Sequence, residues 1–180
     1  VETYATFLPH EDKFNSPEER LRAFRAYYGL VSFLDDNVGQ IVAALDRHGL
    51  NDTTHLVYTS DHGDNVGARG LWGKSTVYQE TVKVPMMLTG PSITPHVSRV
   101  PVDLLDLYPT ILEATGIAAG GPMSSRPGCS LFKVEGLAQA EQRVILSEYH
   151  ATGSNTAAFM VRKGRWKYHY YVRFQPELFD

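Results

Sequence analysis

Two polar residues that follow a strand-forming run, Asp61 and His62, could together bind a metal ion. Asp61, His62 and Gly63 follow residues 54–59 (THLVYT) after the single residue Ser60. In α/β folds, ligands bind where strands end at their carboxyl edge. A carboxylate oxygen and an imidazole nitrogen in adjacent positions can face one cation if the backbone turns sharply, which Gly63 permits. The alternative for the same residues is a hydrogen-bonded turn without a metal.

Lys74, 13 residues after Asp61, is a candidate for binding an anion. It follows a stretch from Gly63 to Gly73 that carries four glycines and shows neither helical nor strand periodicity. Long loops in compact domains are usually functional. Glycine flexibility and the bulky Trp72 could hold the Lys74 ammonium over an anionic group. A solvated surface charge is the alternative.

A long amphipathic helix is predicted upstream of these residues. Ser16 as N-cap, Pro17 at the first helical position and Glu19 as the other half of a capping box predict its start. Apolar residues then recur at three- and four-residue spacing as far as Arg47. Gly49 is predicted to end the helix.

Two strands and a further helix complete the first part of the chain. Residues 54–59 and 83–88 (KVPMML) are predicted to be buried strands, and Pro85 indicates an edge position or a bulge in the second. Asp106 is predicted to cap a helix that ends at Gly116. This alternation of helix, strand and polar glycine loop is typical of an α/β fold.

The end of the chain is predicted to form a small antiparallel sheet. Residues 118–127 (AAGGPMSSRP) have the composition of a linker or surface crossing. Residues 143–149, 158–162 and 165–174 are strand-like, and residues 163–164 (KG) suit a hairpin turn. We therefore expect a larger α/β domain over residues 1–138 and a smaller antiparallel domain over residues 139–180.

Composition excludes several classes of protein. The 17 Lys and Arg residues against 20 Asp and Glu residues give a net charge of −3, which argues against nucleic acid or an acidic membrane surface as the main partner. No apolar run reaches the roughly 18 residues of a transmembrane helix. Cys129 is the one cysteine, which excludes an internal disulfide and a cysteine-based zinc site.

Both termini look interrupted in the sequence, so we expect a fragment of a larger protein. The chain opens on Val1 without a methionine and stops at Asp180, where a strand or turn is beginning. The localisation of the protein does not follow from such a chain.

Several segments, in order along the chain, resemble the sulfatases of the alkaline-phosphatase-like superfamily. The metal-binding segment of that family is similar to residues 59–74 (TSDHGDNVGARGLWGK). Further similar segments are residues 27–39 (YYGLVSFLDDNVG), 84–87 (VPMM), 106–112 (DLYPTIL), 128–131 (GCSL), 163–168 (KGRWKY) and 178–180 (LFD). The resemblance implies an alkaline-phosphatase-like mixed sheet flanked by helices, with a small C-terminal antiparallel sheet.

The resemblance also implies hydrolysis of sulfate esters, for example of a small molecule or a sugar. In the family, a hydrated formylglycine made from a Cys or Ser in a C/S-x-P-x-R motif attacks sulfur, and calcium orients the reacting groups; Mg²⁺ and Mn²⁺ are the alternatives. Asp61 and His62 match metal ligands of the family, and Lys74 matches its sulfate-contacting lysine. Such chemistry is metal-assisted nucleophilic catalysis with electrostatic stabilisation of the transferred group.

The sequence departs from the family pattern at the nucleophile. No Cys or Ser of this chain stands in the C/S-x-P-x-R motif, and Cys129 is expected to be a turn or core residue. The aspartate pair that supplies the other metal ligands in the family is also absent. We therefore expect half a site, inactive alone, whose partner is the missing N-terminal half of the same protein; a homo-oligomer is a further expectation.

Two histidines are candidates for binding the substrate. His10 could contact it, with a surface loop as the alternative. His150 leaves a strand into a loop of small residues that could border the pocket, with hydrogen bonding in the sheet as the alternative. Asp64 and Arg69 could orient the ligands, or could belong to a salt bridge that stabilises the loop.

Two other functions fit the same residues. A phosphonate or phosphate ester hydrolase of the superfamily would use the metal and the lysine equally well. A non-catalytic scaffold or binding module could have kept the fold without the site.

Overall fold

The protein forms two compact units, seen in a computed structural model that describes residues 11–117, 127–150 and 156–180. Of these residues, the first unit contains 11–94 and His150, and the second contains 95–117, 127–149 and 156–180. The units divide after residue 94, and the predicted boundary between a catalytic and a C-terminal domain after residue 138 stays a prediction.

Helix α1 (Pro17–Arg47) begins and ends where the sequence predicts. The Ser16 hydroxyl accepts the Glu19 amide at 3.1 Å, and Pro17 occupies the first turn. The predicted capping box is wrong in its second half: the Glu19 carboxylate accepts the Asn15 amide at 2.7 Å, because it reaches one residue beyond the cap. Gly49, at φ 63°, follows the helix end.

Strands β1 (Leu56–Thr59) and β2 (Met86–Thr89) form an antiparallel pair in the first unit. The short helix α2 (Gln79–Val82), which no sequence signal predicted, lies between them. Pro85 precedes β2, and its carbonyl accepts the Thr59 hydroxyl at 2.7 Å. The prediction that both strands are buried is wrong for this chain, because a two-stranded ladder leaves their side chains half-buried or exposed.

Helix α3 (Leu107–Thr115) ends before Gly116, whose φ of 65° is the left-handed conformation expected there. Asp106 is the N-cap residue of α3, as predicted, but its side chain makes no capping bond to the helix. The side chain of Asp103 instead accepts the Leu105 amide at 2.9 Å and starts the 3₁₀ turn Leu104–Asp106.

The buried Asp106 side chain is the centre of a cluster that we name the polar joint: Asp106, Thr110, Cys129, Leu131 and Arg143. Asp106 is fully buried and accepts two bonds from the Arg143 guanidinium, at 2.8 and 2.9 Å. It also accepts the Cys129 amide at 2.7 Å, while the Thr110 hydroxyl accepts the Leu131 amide at 2.8 Å. The joint therefore ties the start of α3 to the GCSL turn, and Cys129 takes part through its backbone.

The second unit contains a four-stranded antiparallel sheet, which confirms the predicted C-terminal sheet. Its strands lie in the order β3, β4, β5, β6, with the hairpin turn at Gly164 between β4 and β5. The strands are β3 (Val144–Tyr149), β4 (Ala158–Lys163), β5 (Trp166–Tyr171) and β6 (Glu177–Phe179). Burial alternates along β5, as expected for a sheet with one covered face.

The remaining regular elements are single 3₁₀ turns. They are Glu11–Lys13, Ala68–Gly70, Val134–Gly136 and Ala140–Gln142. The predicted linker lies almost wholly outside the described residues. In the part of the chain that the structure describes, no helix combines the length and apolar character needed to cross a membrane.

Candidate active site

The chain turns sharply after β1, and Asp61 and His62 occupy this turn. The Asp61 carboxylate accepts the His62 amide at 2.9 Å, and the Ser60 hydroxyl donates to the His62 carbonyl at 2.8 Å. These short bonds hold the backbone while the side chains stay accessible: that of Asp61 is 82% exposed and that of His62 is 40% exposed.

The His62 ring is oriented by a backbone carbonyl. Its Nδ1 lies 2.9 Å from the carbonyl oxygen of Gly63, which can only accept a hydrogen bond. Nδ1 of a neutral ring therefore carries the proton, and Nε2 presents its lone pair. Histidines that bind metals are commonly oriented by such a bond from the other ring nitrogen.

Lys74 and Asp61 both face that Nε2 atom. The Lys74 ammonium lies 2.7 Å from Nε2, and the Oδ2 atom of Asp61 lies 3.5 Å from it. A carboxylate, an imidazole lone pair and an ammonium thus meet at one exposed point. The arrangement can bind a cation through the first two groups and an anion through the third.

Opposing influences act on the ionisation of Asp61. Partial desolvation favours its neutral form, but the electrostatic influence of the His62 ring, hydrogen bonds from the His62 and Asp61 amides and the charge of Lys74 prevail. Together they hold the pKa of the Asp61 carboxyl below its usual value. Asp61 is therefore an anion at neutral pH, as a metal ligand must be.

The donor set suits a divalent cation in kind but not in number. One carboxylate and one imidazole are fitting ligands. Within the described ranges, no group of three His, Cys, Asp or Glu side chains could hold a metal. Two protein ligands are fewer than a resident divalent cation takes, so these residues supply part of a metal site.

The glycine loop is anchored to α2 on one side. Gly63 donates its amide to the Thr81 carbonyl at 2.8 Å, and a Cβ added to Gly63 would lie 2.0 Å from the Glu80 carbonyl oxygen. Any residue other than glycine at position 63 would therefore clash with the Glu80 carbonyl oxygen. Arg69 pairs with the Glu80 carboxylate at 2.7 Å and stacks over Tyr78 at 4.3 Å, so it forms the salt bridge foreseen as one of its alternatives.

Trp72 anchors the other side of the loop to aromatic residues. Its ring centroid lies 5.0 Å from that of Phe14 and 4.8 Å from that of Phe24. Gly67 lies beneath Phe24, whose Cζ would be 2.7 Å from an added Cβ. Because the indole packs in this cluster, we infer that it holds the chain that leads into Lys74.

A model of the sulfatase family matches residues 1–117, more than half of the chain. This chain belongs to the sulfatase family. Membership confirms the resemblance to the sulfatases of the alkaline-phosphatase-like superfamily, with their α/β fold.

Relatives include both sulfatases and a phosphonate hydrolase. Choline-sulfatase of Rhizobium meliloti is 36% identical over 169 residues, which are 93% of this chain and 33% of that protein. Arylsulfatase K of Mus musculus is 34% identical over 195 aligned residues, covering 100% of this chain and 34% of that protein. The structure of a phosphonate monoester hydrolase from Silicibacter pomeroyi is 29% identical, with a TM-score of 0.78 over 98% of this chain and 38% of that one.

The sulfatase chain thus spans about a third of the length of these curated relatives. Of the predicted site residues, the structure brings together Asp61, His62 and Lys74. His150 is exposed and belongs to the first unit, with the three others, and its substrate role stays a prediction. His10 lies outside the described residues.

No sequence signal predicted three other residues that support the candidate site. Phe14 and Phe24 contact Trp72 across 58 and 48 residues of sequence, and no periodicity signals such contacts. Asn65 is almost fully buried beside the site, although its place in a polar glycine loop indicated exposure. The available signal was the presence of Asp64 and Asn65 in a loop, since short polar side chains in loops often form hydrogen bonds with backbone groups.

Proposed function

We propose that the intact enzyme containing this chain hydrolyses sulfate esters, with Asp61 and His62 as metal ligands and Lys74 as the sulfate-contacting residue. The observation that carries the proposal is the meeting of these three groups at Nε2 of His62, with Lys74 at 2.7 Å and Asp61 at 3.5 Å. Membership of the sulfatase family supports the reaction class.

The residues of this chain have separable tasks in the proposed reaction. Asp61 and His62 bind the cation, which when bound polarises the ester oxygens and orients the nucleophile. Lys74 donates a charge-assisted hydrogen bond to an anionic oxygen of the sulfate, a contact worth about 1.5 to 3 kcal/mol. The backbone bonds at His62 keep both ligands in place, so little reorganisation is needed when charge develops.

The nucleophile in this proposal is a formylglycine outside the 180 residues. The proposal follows the family pattern, and no C/S-x-P-x-R motif stands in this sequence. The substrate is a sulfate ester of a small molecule or a sugar. Calcium is the proposed cation, with Mg²⁺ and Mn²⁺ as alternatives, since carboxylate oxygens suit all three.

A phosphonate or phosphate ester hydrolase is the second candidate function. The structural similarity to the phosphonate monoester hydrolase favours it. Metal and ammonium would serve a phosphoryl group as they serve a sulfuryl group. The binding or scaffold module remains a third proposal, of another class.

The test is a substrate and metal comparison on the intact enzyme. Purified protein is assayed with 4-nitrophenyl sulfate and with phenyl phosphonate and phosphate esters, before and after chelation and after addition of Ca²⁺, Mg²⁺ or Mn²⁺. Sulfate release that chelation removes and a cation restores supports the proposal. Preference for phosphonate esters favours the second candidate, and absence of both turnover and metal binding favours a scaffold.

The exposed apolar surface of α1 is the basis for a proposed partner polypeptide. None of its 31 residues is buried within the chain, and Tyr28, Leu30 and Phe33 are each about two-thirds exposed. A helix with apolar residues on so much of its circumference is usually buried in a larger core. We propose that α1 is covered by a further polypeptide, which corresponds to the part of the relatives' length that this chain does not span.

Co-expression tests this partner. The 180 residues alone are expected to be inactive and to aggregate or self-associate, because exposed apolar surface and open sheet edges pair with other chains. Together with the remaining part of the enzyme they should elute as one soluble species. A stable, monodisperse monomer of the 180 residues in size-exclusion chromatography contradicts the proposed partner.

A further inference from the structure

Two consecutive residues at the start of the glycine loop hold Gly73 at its end. The Asp64 carboxylate accepts the Gly73 amide at 3.0 Å. The amide and the side chain of Asn65 both donate to the Gly73 carbonyl, each at 2.8 Å. The peptide groups on both sides of Gly73 are therefore fixed by the segment that directly follows His62 and Gly63.

The two clamping side chains are themselves held. The same Asp64 oxygen accepts the Val66 amide at 2.8 Å. Asn65 is 2% exposed, its side-chain oxygen accepts the Thr76 hydroxyl at 3.5 Å, and its backbone carbonyl accepts the Ala68 amide at 2.8 Å. A buried amide side chain is costly unless hydrogen-bonded, and here its donor bond goes to Gly73. Gly73 adopts φ 75°, a conformation that glycine takes without strain.

These bonds to Gly73 restrict the backbone position of the next residue, Lys74. A lysine side chain on an unrestrained loop samples many conformations, and ordering it costs conformational entropy. With Gly73 fixed on both sides, the Lys74 backbone starts from one position, and its ammonium lies 2.7 Å from Nε2 of His62. Small displacements of a catalytic group are costly, and about 1 Å can reduce a rate 100-fold.

We propose that Asp64 is a positioning residue, which acts with Asn65 through Gly73 to place the Lys74 ammonium at the site. Asp64 touches neither Lys74 nor His62 in the described hydrogen bonds, so its influence passes through the loop backbone. The inference rests on the proposed function of Lys74 as the sulfate-contacting residue.

A double-mutant cycle in the intact enzyme tests the route of action. With 4-nitrophenyl sulfate, Asp64→Ala should lower kcat/KM by roughly 10- to 100-fold and leave metal content unchanged. In a Lys74→Ala background, the same Asp64→Ala change should cost less than about twofold, because residues that act through one another are not additive. Asp64→Asn is the matched control: its amide oxygen accepts both N–H groups, so kcat/KM should stay within about threefold of the parent.

Two results would overturn the proposal. One is a full, additive loss from Asp64→Ala in the Lys74→Ala background, which would show an effect independent of the lysine. The other is loss of metal from Asp64→Ala, which would place its effect on Asp61 and His62. If Asp64→Ala does not fold, Asn65→Asp replaces it in the test. This variant keeps the shape of the side chain but replaces the amide donor by an acceptor, so it should show the lowered kcat/KM and unchanged metal content expected for Asp64→Ala.

Hydrogen exchange separates this inference from the proposed function. The Gly73 amide should exchange faster in Asp64→Ala than in the parent or in Asp64→Asn, whichever ester the enzyme cleaves. Equal exchange in all three proteins overturns the clamp. An enzyme that cleaves no sulfate ester overturns the proposed function, while the exchange result still decides whether Asp64 holds Gly73.

Discussion

Two carboxylates of this chain, Asp61 and Asp106, each face a cationic side chain but have opposite surroundings. The Asp61 side chain is 82% exposed, beside His62 and Lys74, whereas Asp106 is fully buried against Arg143. Asp106 accepts four hydrogen bonds, from the amides of Asp103 and Cys129 and twice from Arg143. These four bonds match the full accepting capacity of a carboxylate.

This difference separates structural polar groups from those available to a ligand. A buried carboxylate with every accepting site filled has nothing left for chemistry, and its bonds fix the arrangement of the chain. Asp61 keeps Oδ2 toward solvent and Nε2 of His62. Residues 106–112 (DLYPTIL) therefore contribute to the structure of the second unit, while residues 61–63 (DHG) present groups that a ligand can reach.

The sharpest test of this contrast removes a proposed metal ligand. Asp61→Asn or His62→Ala in the intact enzyme should lower kcat/KM on the order of 1,000-fold or more, because several kcal/mol of stabilisation depend on the metal. Metal content, measured by mass spectrometry, should fall while the unfolding midpoint changes little. Asp46→Asn, at an exposed carboxylate that accepts a bond from Asn51, is the control. Normal metal content and activity in Asp61→Asn would remove the basis for the site.

The polar joint should show the opposite pattern. Arg143→Ala leaves the buried Asp106 charge without its partner and should lower the free energy of unfolding by about 3 to 5 kcal/mol. Activity per folded molecule should be retained. Arg165→Ala is the control, because the exposed Arg165 to Asp180 pair should contribute at most about 1 kcal/mol. Equal denaturation midpoints for the two variants would count against a structural role for the joint.

Loss of the ammonium should have a smaller effect than loss of a metal ligand. Lys74→Ala should reduce kcat/KM by roughly 10- to 100-fold, the equivalent of one charge-assisted hydrogen bond. Metal content should stay near normal, since Lys74 is not a ligand. An unchanged rate would make Lys74 a solvated surface charge.

The smallest predicted effect concerns Asp103, an acidic residue beside the polar joint. Burial, followed by the charge of Asp106, raises the pKa of the Asp103 carboxyl. The folded state then binds the proton more tightly than the unfolded state, so this group lowers stability as pH rises above the ordinary value near 3.9. Asp103→Asn should stabilise the enzyme by about 0.5 kcal/mol or less at pH 7 and have no effect near pH 3. A larger gain at low pH than at pH 7 would contradict this sign.

Local signals predicted much of the fold. Ser16, Pro17 and Gly49 placed both ends of α1, and Gly164 placed a hairpin. Two details were wrong because other partners compete for the side chains: the Glu19 carboxylate bonds to Asn15, one residue before the cap, and the Asp106 carboxylate bonds to the distant Arg143 instead of to the start of α3. Sequence spacing carries no information about a partner 37 residues away.

The candidate site was predictable in its chemistry but not in its support. Asp61, His62 and Lys74 were recognisable from residue type, glycine content and resemblance to a family. The buried Asn65 and the packing of Trp72 between Phe14 and Phe24 were not, because loop backbones follow no periodic pattern. Residue type indicates which side chains can bind a ligand, whereas the contacts that support them depend on the local conformation of the chain.

The clamp on Gly73 also bears on the order of folding events. Asn65 and Gly73 are 8 residues apart, whereas Asp106 and Arg143 are 37 apart. The entropic cost of closing a loop grows with the logarithm of its length, so the shorter closure is favoured by about 1.4 kcal/mol. The loop that carries Lys74 can therefore close early and locally, while the polar joint must wait for distant segments to meet.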